Sequence, residues 1–311
     1  MKKLIFLTLL AAAACARADH GPGTSGAGAF TESAETLKPG HWSATVKFDW
    51  TEFDVPGAST LAGKEAFDFL ERSFLTTLSL GLGVTENFQL GLSFGYYAAE
   101  GAGEIATVEG GERERITFDP DGWTDLWLTG KLRIYRGPAG QVALYAGVKA
   151  PVGETRIFNS AGERIEPASS PGSGAWDGMV GAAYTQSLTP SLALDASVQY
   201  TMHGEKFNYR LGNRLDAGVA LGWRIVGGAK DFPQVSLQAE ANVRAVDRSR
   251  IARVRADDTG GTVLFLSPGV RVRFCEHSAL SVGVQVPVVQ DLHGDQLETS
   301  FRFTTSVNIS F

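Results

Sequence analysis

Lys47 and Asp49 stand two residues apart, and the same spacing recurs at Lys131 and Arg133 and at Arg271 and Arg273. In an extended chain, residues two apart project from one face. That face, followed along the sequence, also carries Asp125, Lys149, Asp177, Asp195, Asp216, Arg224, Glu240, Arg244, Glu298 and Arg302. Both signs are present in similar numbers. Such a set can line a water-filled passage of mixed charge, or it can cross-link into a salt-bridged filling.

Other chemistries find less support. The five histidines, His20, His41, His203, His277 and His293, are scattered without the spacing that a metal site needs. The acidic turns Asp119-Pro120-Asp121-Gly122 and Asp291 to Asp295 could offer oxygen ligands to Ca²⁺, but acidic turns with glycine are common. No Gly-rich phosphate loop or nucleophile elbow lies between a strand and a helix. The reading is therefore of a protein without catalytic residues, cofactor or metal.

The elements that position these charges are strands. The last stretch, FRFTTSVNISF, puts Phe301, Phe303, Thr305, Val307, Ile309 and Phe311 on one parity and Arg302, Thr304, Ser306, Asn308 and Ser310 on the other. Eleven earlier stretches repeat the pattern, starting near residues 42, 74, 88, 126, 142, 176, 192, 215, 235, 264 and 280. Long polar connections alternate with short turns. An even number of strands brings both termini to the side of the short turns. The expected fold is all-β: a transmembrane, up-and-down antiparallel barrel of about 12 strands, apolar outside and polar within. A soluble sandwich would not account for the alternation of connection length. A charge facing lipid would cost a few kcal/mol near mid-bilayer, so confinement of the charges to one parity supports this topology.

Aromatics on the apolar parity point the same way. Trp42 and Trp50, Phe88 and Tyr96, and Trp176 and Tyr184 are each separated by eight residues, roughly 26 Å of strand. With Trp223 and Phe311 they form candidate membrane girdles at the two edges of an apolar band. Pro268 and Pro287 fall inside neighbouring strands, where a ladder N–H is lost; a bulge is expected, and a lateral opening is the alternative.

The chain of 311 residues begins MKKLIFLTLLAAAACARA, a charged, apolar and A-x-A sequence that reads as a signal peptide over 1–18. Lipid attachment at Cys15 is the alternative. Cleavage leaves Cys275 alone and 25 basic against 34 acidic residues, a net charge of −9. That acidity argues against a nucleic-acid partner. Mean hydropathy near zero excludes helical membrane spans but not a barrel, whose alternating strands average out. Residues 19–40 are a Gly-rich tail, long enough to fold back as a plug of the lumen. Inward glycines such as Gly81, Gly83, Gly91, Gly181, Gly218 and Gly283 leave room along the wall for a plug or a solute. The barrel occupies 41–311.

The terminal Phe with apolar residues at alternate positions before it resembles the C-terminal signature of Gram-negative outer-membrane barrels. The segments HGPGTSG, FLTTLSLGLGVTENFQLGLSFGYY, GWTDLWLTGKLRIYRGPAG, PGSGAWD and LHGDQLETSF resemble the transporter-like barrels of the meta-pathway phenol-degradation family. The resemblance implies an outer-membrane location and a channel for passive uptake of small molecules, with aromatic or apolar compounds suggested by the family's name alone. It also implies contact with outer-membrane lipid and lipopolysaccharide, and with the barrel assembly machinery through the last strand. Two alternatives remain open. One is a closed structural or adhesive barrel with ligand-binding outer loops. The other is a lipid-modifying enzyme, because a twelve-stranded phospholipase family uses a Ser–His pair on its lipid-facing wall. His203 faces inward by parity, with no outward Ser beside it.

Overall fold

The computed structural model describes residues 28–57, 67–107, 113–228 and 231–311. The leader over 1–18, with Cys15, and the first part of the tail lie outside the described residues. Twelve long strands dominate the chain: β1 (Trp42–Asp54), β2 (Arg72–Gly83), β3 (Phe88–Glu100), β4 (Leu126–Gly137), β5 (Gly140–Ala150), β6 (Asp177–Ser187), β7 (Leu192–Met202), β8 (Arg214–Val226), β9 (Gln234–Val246), β10 (Gly261–Cys275), β11 (Ser278–Leu292) and β12 (Glu298–Ser310). Each pairs antiparallel with its neighbours in sequence, and β12 pairs back onto β1, so the sheet closes. Closure leaves none of the twelve long strands as an edge and satisfies their backbone internally, as a hydrocarbon surrounding requires.

Period-2 alternation decides which side of the wall each residue faces. Along β5, Leu144, Ala146 and Val148 are exposed on the outside while Ala143, Tyr145 and Lys149 are buried within. A register slip of one residue would turn every charge outward, so the pattern also fixes the pairing. The closing seam runs from Ser43 opposite Ser310 to Asp54 opposite Glu298. It is completed by Trp42 N–H to Phe311 O (2.7 Å) and Phe311 N–H to Trp42 O (2.9 Å).

The prolines leave their mark on β10 and β11. Register shifts between Leu264 and Phe265, and Ser267 and Pro268 fall between the pairs Leu266–Val286 and Gly269–Gly283. The ladder from β11 to β12 runs from Ser278–Ile309 to Gln285–Arg302, shortly before Pro287, which has no N–H to donate. Beyond that point the Gln290 carboxamide takes the place of a peptide group. Its Nε2 donates to Thr299 O (3.1 Å), and its Oε1 accepts from Thr299 N–H (3.0 Å).

The short turns and both strand termini gather at one end, and the longer connections at the other. The long connections carry structure that strand periodicity did not reveal. Phe67–Phe69, Ala102–Thr107 and Arg113–Phe118 form a three-stranded sheet, and four two-residue strands between 205 and 255 form a second ribbon. Phe67 and Phe69 are buried against Val55, Ile105 and Leu297, a small apolar core above the barrel. Asp121–Trp123 adds onto β3, opposite Ala98 to Tyr96.

Candidate functional site

The inward face of the barrel holds its charges in layers. Nearest the loop end, Lys149 Nζ lies 3.0 Å from Asp125 Oδ2 and 2.5 Å from Asp177 Oδ2, all three side chains nearly fully buried. Asp125 also accepts from Gly153 N–H and Ser173 N–H, each at 2.9 Å, which ties the connection between β5 and β6 down onto the wall. His203 completes the cluster. Its Nδ1 is 2.9 Å from Gly212 O and its Nε2 3.9 Å from Asp177. Burial lowers the His203 pKa; Asp177 and the Gly212 carbonyl work against that, while Arg214 and Lys149 add to it.

In the middle layer Asp49 receives Lys47 (3.3 Å) and Arg302 (3.2 Å). Asp216 receives Arg214 (2.6 Å) and Arg244 (2.8 Å). In this layer the mixed signs are therefore distributed as two three-membered clusters on the wall.

Residues 28–40 run through the lumen beside these clusters. The buried carboxylate of Glu240 accepts the backbone N–H groups of Ala29, Phe30 and Thr31, together with the Thr31 hydroxyl. Glu32 pairs with Lys131, whose ammonium also donates to Ser33 O (2.9 Å). Ala34 N–H donates to Thr185 Oγ1 (2.8 Å), which itself donates to the buried Asp195. Leu37 N–H donates to Gln89 Oε1 (3.0 Å). Ala34 and Leu37 are wholly buried, Ala34 against Ala143, Tyr145 and Ala183. The bare backbone of β2 admits the tail: a Cβ on Gly83 would overlap the Lys38 carbonyl, and one on Gly81 would approach Leu37 at 3.1 Å.

Of the inward charges read from the sequence, Arg133, Arg224, Arg271 and Arg273 lie at the turn end, where Arg136, Lys38, Glu35 and Glu86 join them. Glu298 is a correction. The parity of the last strand places it in the lumen, but Glu52 pairs with Phe301 and Phe53 with Thr299, so Ser300 is skipped. The bulge reverses parity, Thr299 lines the lumen, and Glu298 is exposed at the rim with Gln290 Nε2 at 3.5 Å.

On the outer face Trp42, Phe88, Tyr184, Trp223 and Phe311 lie toward the turn end, and Trp50, Tyr96 and Trp176 toward the loop end. Trp123, absent from the sequence reading, packs edge-on against Tyr96 with ring centroids 5.4 Å apart. It was hidden because it follows a long polar segment. Arg214 and the neutral wall residues Gln89, Thr185 and Ser197 were missed as well. Arg214 begins a strand, and neutral polar residues on an inward parity carry no distinguishing signal.

Four cavities follow one another through the barrel, with volumes of about 540, 340, 410 and 230 Å³ from the turn end to the loop end. Arg271 lines the first and second, Lys47 and Glu32 the second and third, and Arg302 and Arg244 the third and fourth. Among the described residues no group of three or more His, Cys, Asp or Glu could hold a metal ion.

The sequence model of a family described as "Putative MetA-pathway of phenol degradation" matches residues 100–303. Among solved structures, the chain is similar to an outer membrane channel from Pseudomonas putida F1, at 15% identity and a TM-score of 0.64, covering 89% of this chain and 98% of that one. It is also similar to the transport unit of the autotransporter AIDA-I from Escherichia coli, at 13% identity and a TM-score of 0.48, covering 93% of this chain and 96% of that one. No curated protein sequence matches the chain.

Proposed function

The chain belongs to this phenol-degradation family, and on that premise we propose that it is an outer-membrane channel for passive uptake of small molecules. The turn end then faces the periplasm and the long loops face outward. The observation that carries the reading is the succession of four cavities with shared wall residues along the lumen. A barrel built only as a support would gain by filling that space with packed side chains. The solute class suggested by the family description is aromatic. The polar, charged wall favours aromatic compounds that carry a polar group over purely apolar ones.

A second reading, a barrel whose lumen is closed, is favoured by the tail bound along the wall from Glu240 to Gln89. Under the channel reading the tail is a constriction that narrows the passage. Single-channel recording of the refolded protein in planar bilayers distinguishes the two. Discrete conductance steps that aromatic solutes reduce are expected, and a silent bilayer containing folded protein would overturn the channel reading.

A further inference from the structure

The periplasmic vestibule is positively charged in a protein that is acidic as a whole. Its cavity of about 540 Å³ is walled by Arg133, Arg136, Arg224, Arg271, Arg273 and Lys38, against the carboxylates of Glu35 and Glu86. Glu276 and Asp195 stand just outside the cavity, near Arg273 and Arg271 respectively. Like charges at this density repel, so the arrangement needs a reason.

How the guanidinium groups are held supplies one. Arg133 is oriented by Gln141 Oε1 (3.0 Å), Asn87 Oδ1 (3.2 Å) and the Glu86 carbonyl (2.6 Å). Arg273 is oriented by Gln234 Oε1 (3.1 Å) and Arg224 by the Pro190 carbonyl. These acceptors are neutral and fix direction; Glu35, near both Arg271 and Arg273, offsets part of the charge, and six cations against Glu35, Glu86, Glu276 and Asp195 still leave an excess of positive charge. Arg271 is only 6% exposed, yet its Nε has no hydrogen-bond partner. A carboxylate binds an accessible guanidinium edge through two parallel bonds. Arg271 lines both the vestibule and the next cavity along the lumen.

We propose that this vestibule is a binding site for the carboxylate group of a small organic acid. Arg271 and Arg273 would grip the carboxylate, and the remaining arginines would draw anions in preference to cations. The site rests on the channel reading for its purpose, since it selects what reaches the periplasm, but its occupancy can be measured without any flux.

Equilibrium dialysis of radiolabelled benzoate against the purified, folded barrel tests it, with benzyl alcohol as the uncharged analogue and inorganic phosphate as competitor. Saturable benzoate binding is expected, together with at least roughly tenfold weaker binding of benzyl alcohol and of the Arg271→Gln/Arg273→Gln protein. Should that variant fail to fold, Arg224→Gln/Arg136→Gln at the more open side should weaken benzoate binding severalfold. Reversal potentials of the unaltered protein in a KCl gradient should show chloride more permeant than potassium. Equal binding of benzoate and benzyl alcohol, binding indifferent to the arginine substitutions, or cation selectivity would overturn the proposal. So would phosphate binding without benzoate binding. Benzoate binding by a barrel that passes no current would leave the site standing and defeat the channel reading instead.

Discussion

Thr31 and Glu240 meet twice inside the barrel: the Thr31 N–H (2.9 Å) and its hydroxyl (2.8 Å) both donate to Oε2 of the Glu240 carboxylate. The same carboxylate accepts from the N–H groups of Ala29 and Phe30. Hydrogen bonds to a charged group contribute about 1.5–3 kcal/mol each, so this one side chain dominates the attachment of the tail's first described turn. Glu240→Ala removes every acceptor, whereas Glu240→Gln keeps one amide oxygen and gives up the charge. Single-channel conductance is expected to rise severalfold in Glu240→Ala, less in Glu240→Gln, and most when residues 19–38 are deleted. Conductance equal to that of the parent in all three proteins would show that the tail does not limit the passage.

Lys149 lies between Asp125 and Asp177, and all three are buried. Lys149→Met would leave two carboxylates facing each other without a counter-charge. Breaking a buried ion pair costs about 3–5 kcal/mol, and the water in the lumen should bring the loss toward the lower figure. The expected outcome is a lower urea midpoint in lipid vesicles and faster proteolysis within 151–176, because Asp125 also holds Gly153 and Ser173. The double substitution Lys149→Met/Asp177→Asn should recover part of the loss. An unchanged midpoint in Lys149→Met would mean that these charges are solvated as individuals.

The barrel was legible because lipid and lumen impose opposite demands on alternate residues. Leu144 and Val148 announce one side, Tyr145 and Lys149 the other, and twelve such runs leave few alternatives. Strand pairing followed from chain order, since an up-and-down barrel joins each strand to the next. What escaped reading depends on groups that composition does not mark. The tail is held mostly through its backbone N–H groups, which every residue but proline supplies, so no periodicity betrays its route. The bulge at Ser300 reverses parity without any proline or glycine to signal it, and Glu298 was misplaced for that reason. The two- and three-residue strands within the loops are too short for a period to register. The charged vestibule was present in the sequence only as separate arginines from β4, β8 and β10, and closure of the sheet brings them to one mouth.

The loop end is expected to loosen in acid through His203. Its pKa is lowered from the ordinary 6.5 chiefly by burial, opposed by Asp177 and the Gly212 carbonyl and reinforced by Arg214 and Lys149. The folded arrangement therefore disfavours the protonated ring. The stabilisation is present in full above the unfolded value and is lost as pH falls through the folded one. Proteolysis or hydrogen exchange within 203–213 should accelerate on acidification from about pH 7.5 to about pH 5.5, a range in which few other side chains change charge. In His203→Asn, whose amide can still donate to Gly212 O, that acceleration should disappear. Equal acid sensitivity in the two proteins would assign the effect to another group.

Phe311 and Trp42 exchange both of their backbone hydrogen bonds, at 2.7 and 2.9 Å, and thereby seal the last rung between the end of the chain and its first strand. Both aromatic side chains are exposed on the outer face, Phe311 at 57% and Trp42 at 45%. Removing Phe311 forfeits two bonds of about 0.5–1.5 kcal/mol each, together with the interfacial contact of one ring. That is a small loss against a sheet of twelve strands already closed along the rest of β1 and β12. The expense should fall earlier, when the terminal strand must be captured and aligned before the barrel can close. Deletion of Phe311 is thus expected to lower the amount of folded, heat-modifiable barrel recovered from membranes, while barrels that do assemble keep the parent conductance. A full yield of assembled barrel would show that the terminal aromatic has no part in closure, and a changed conductance would place its role in the passage instead.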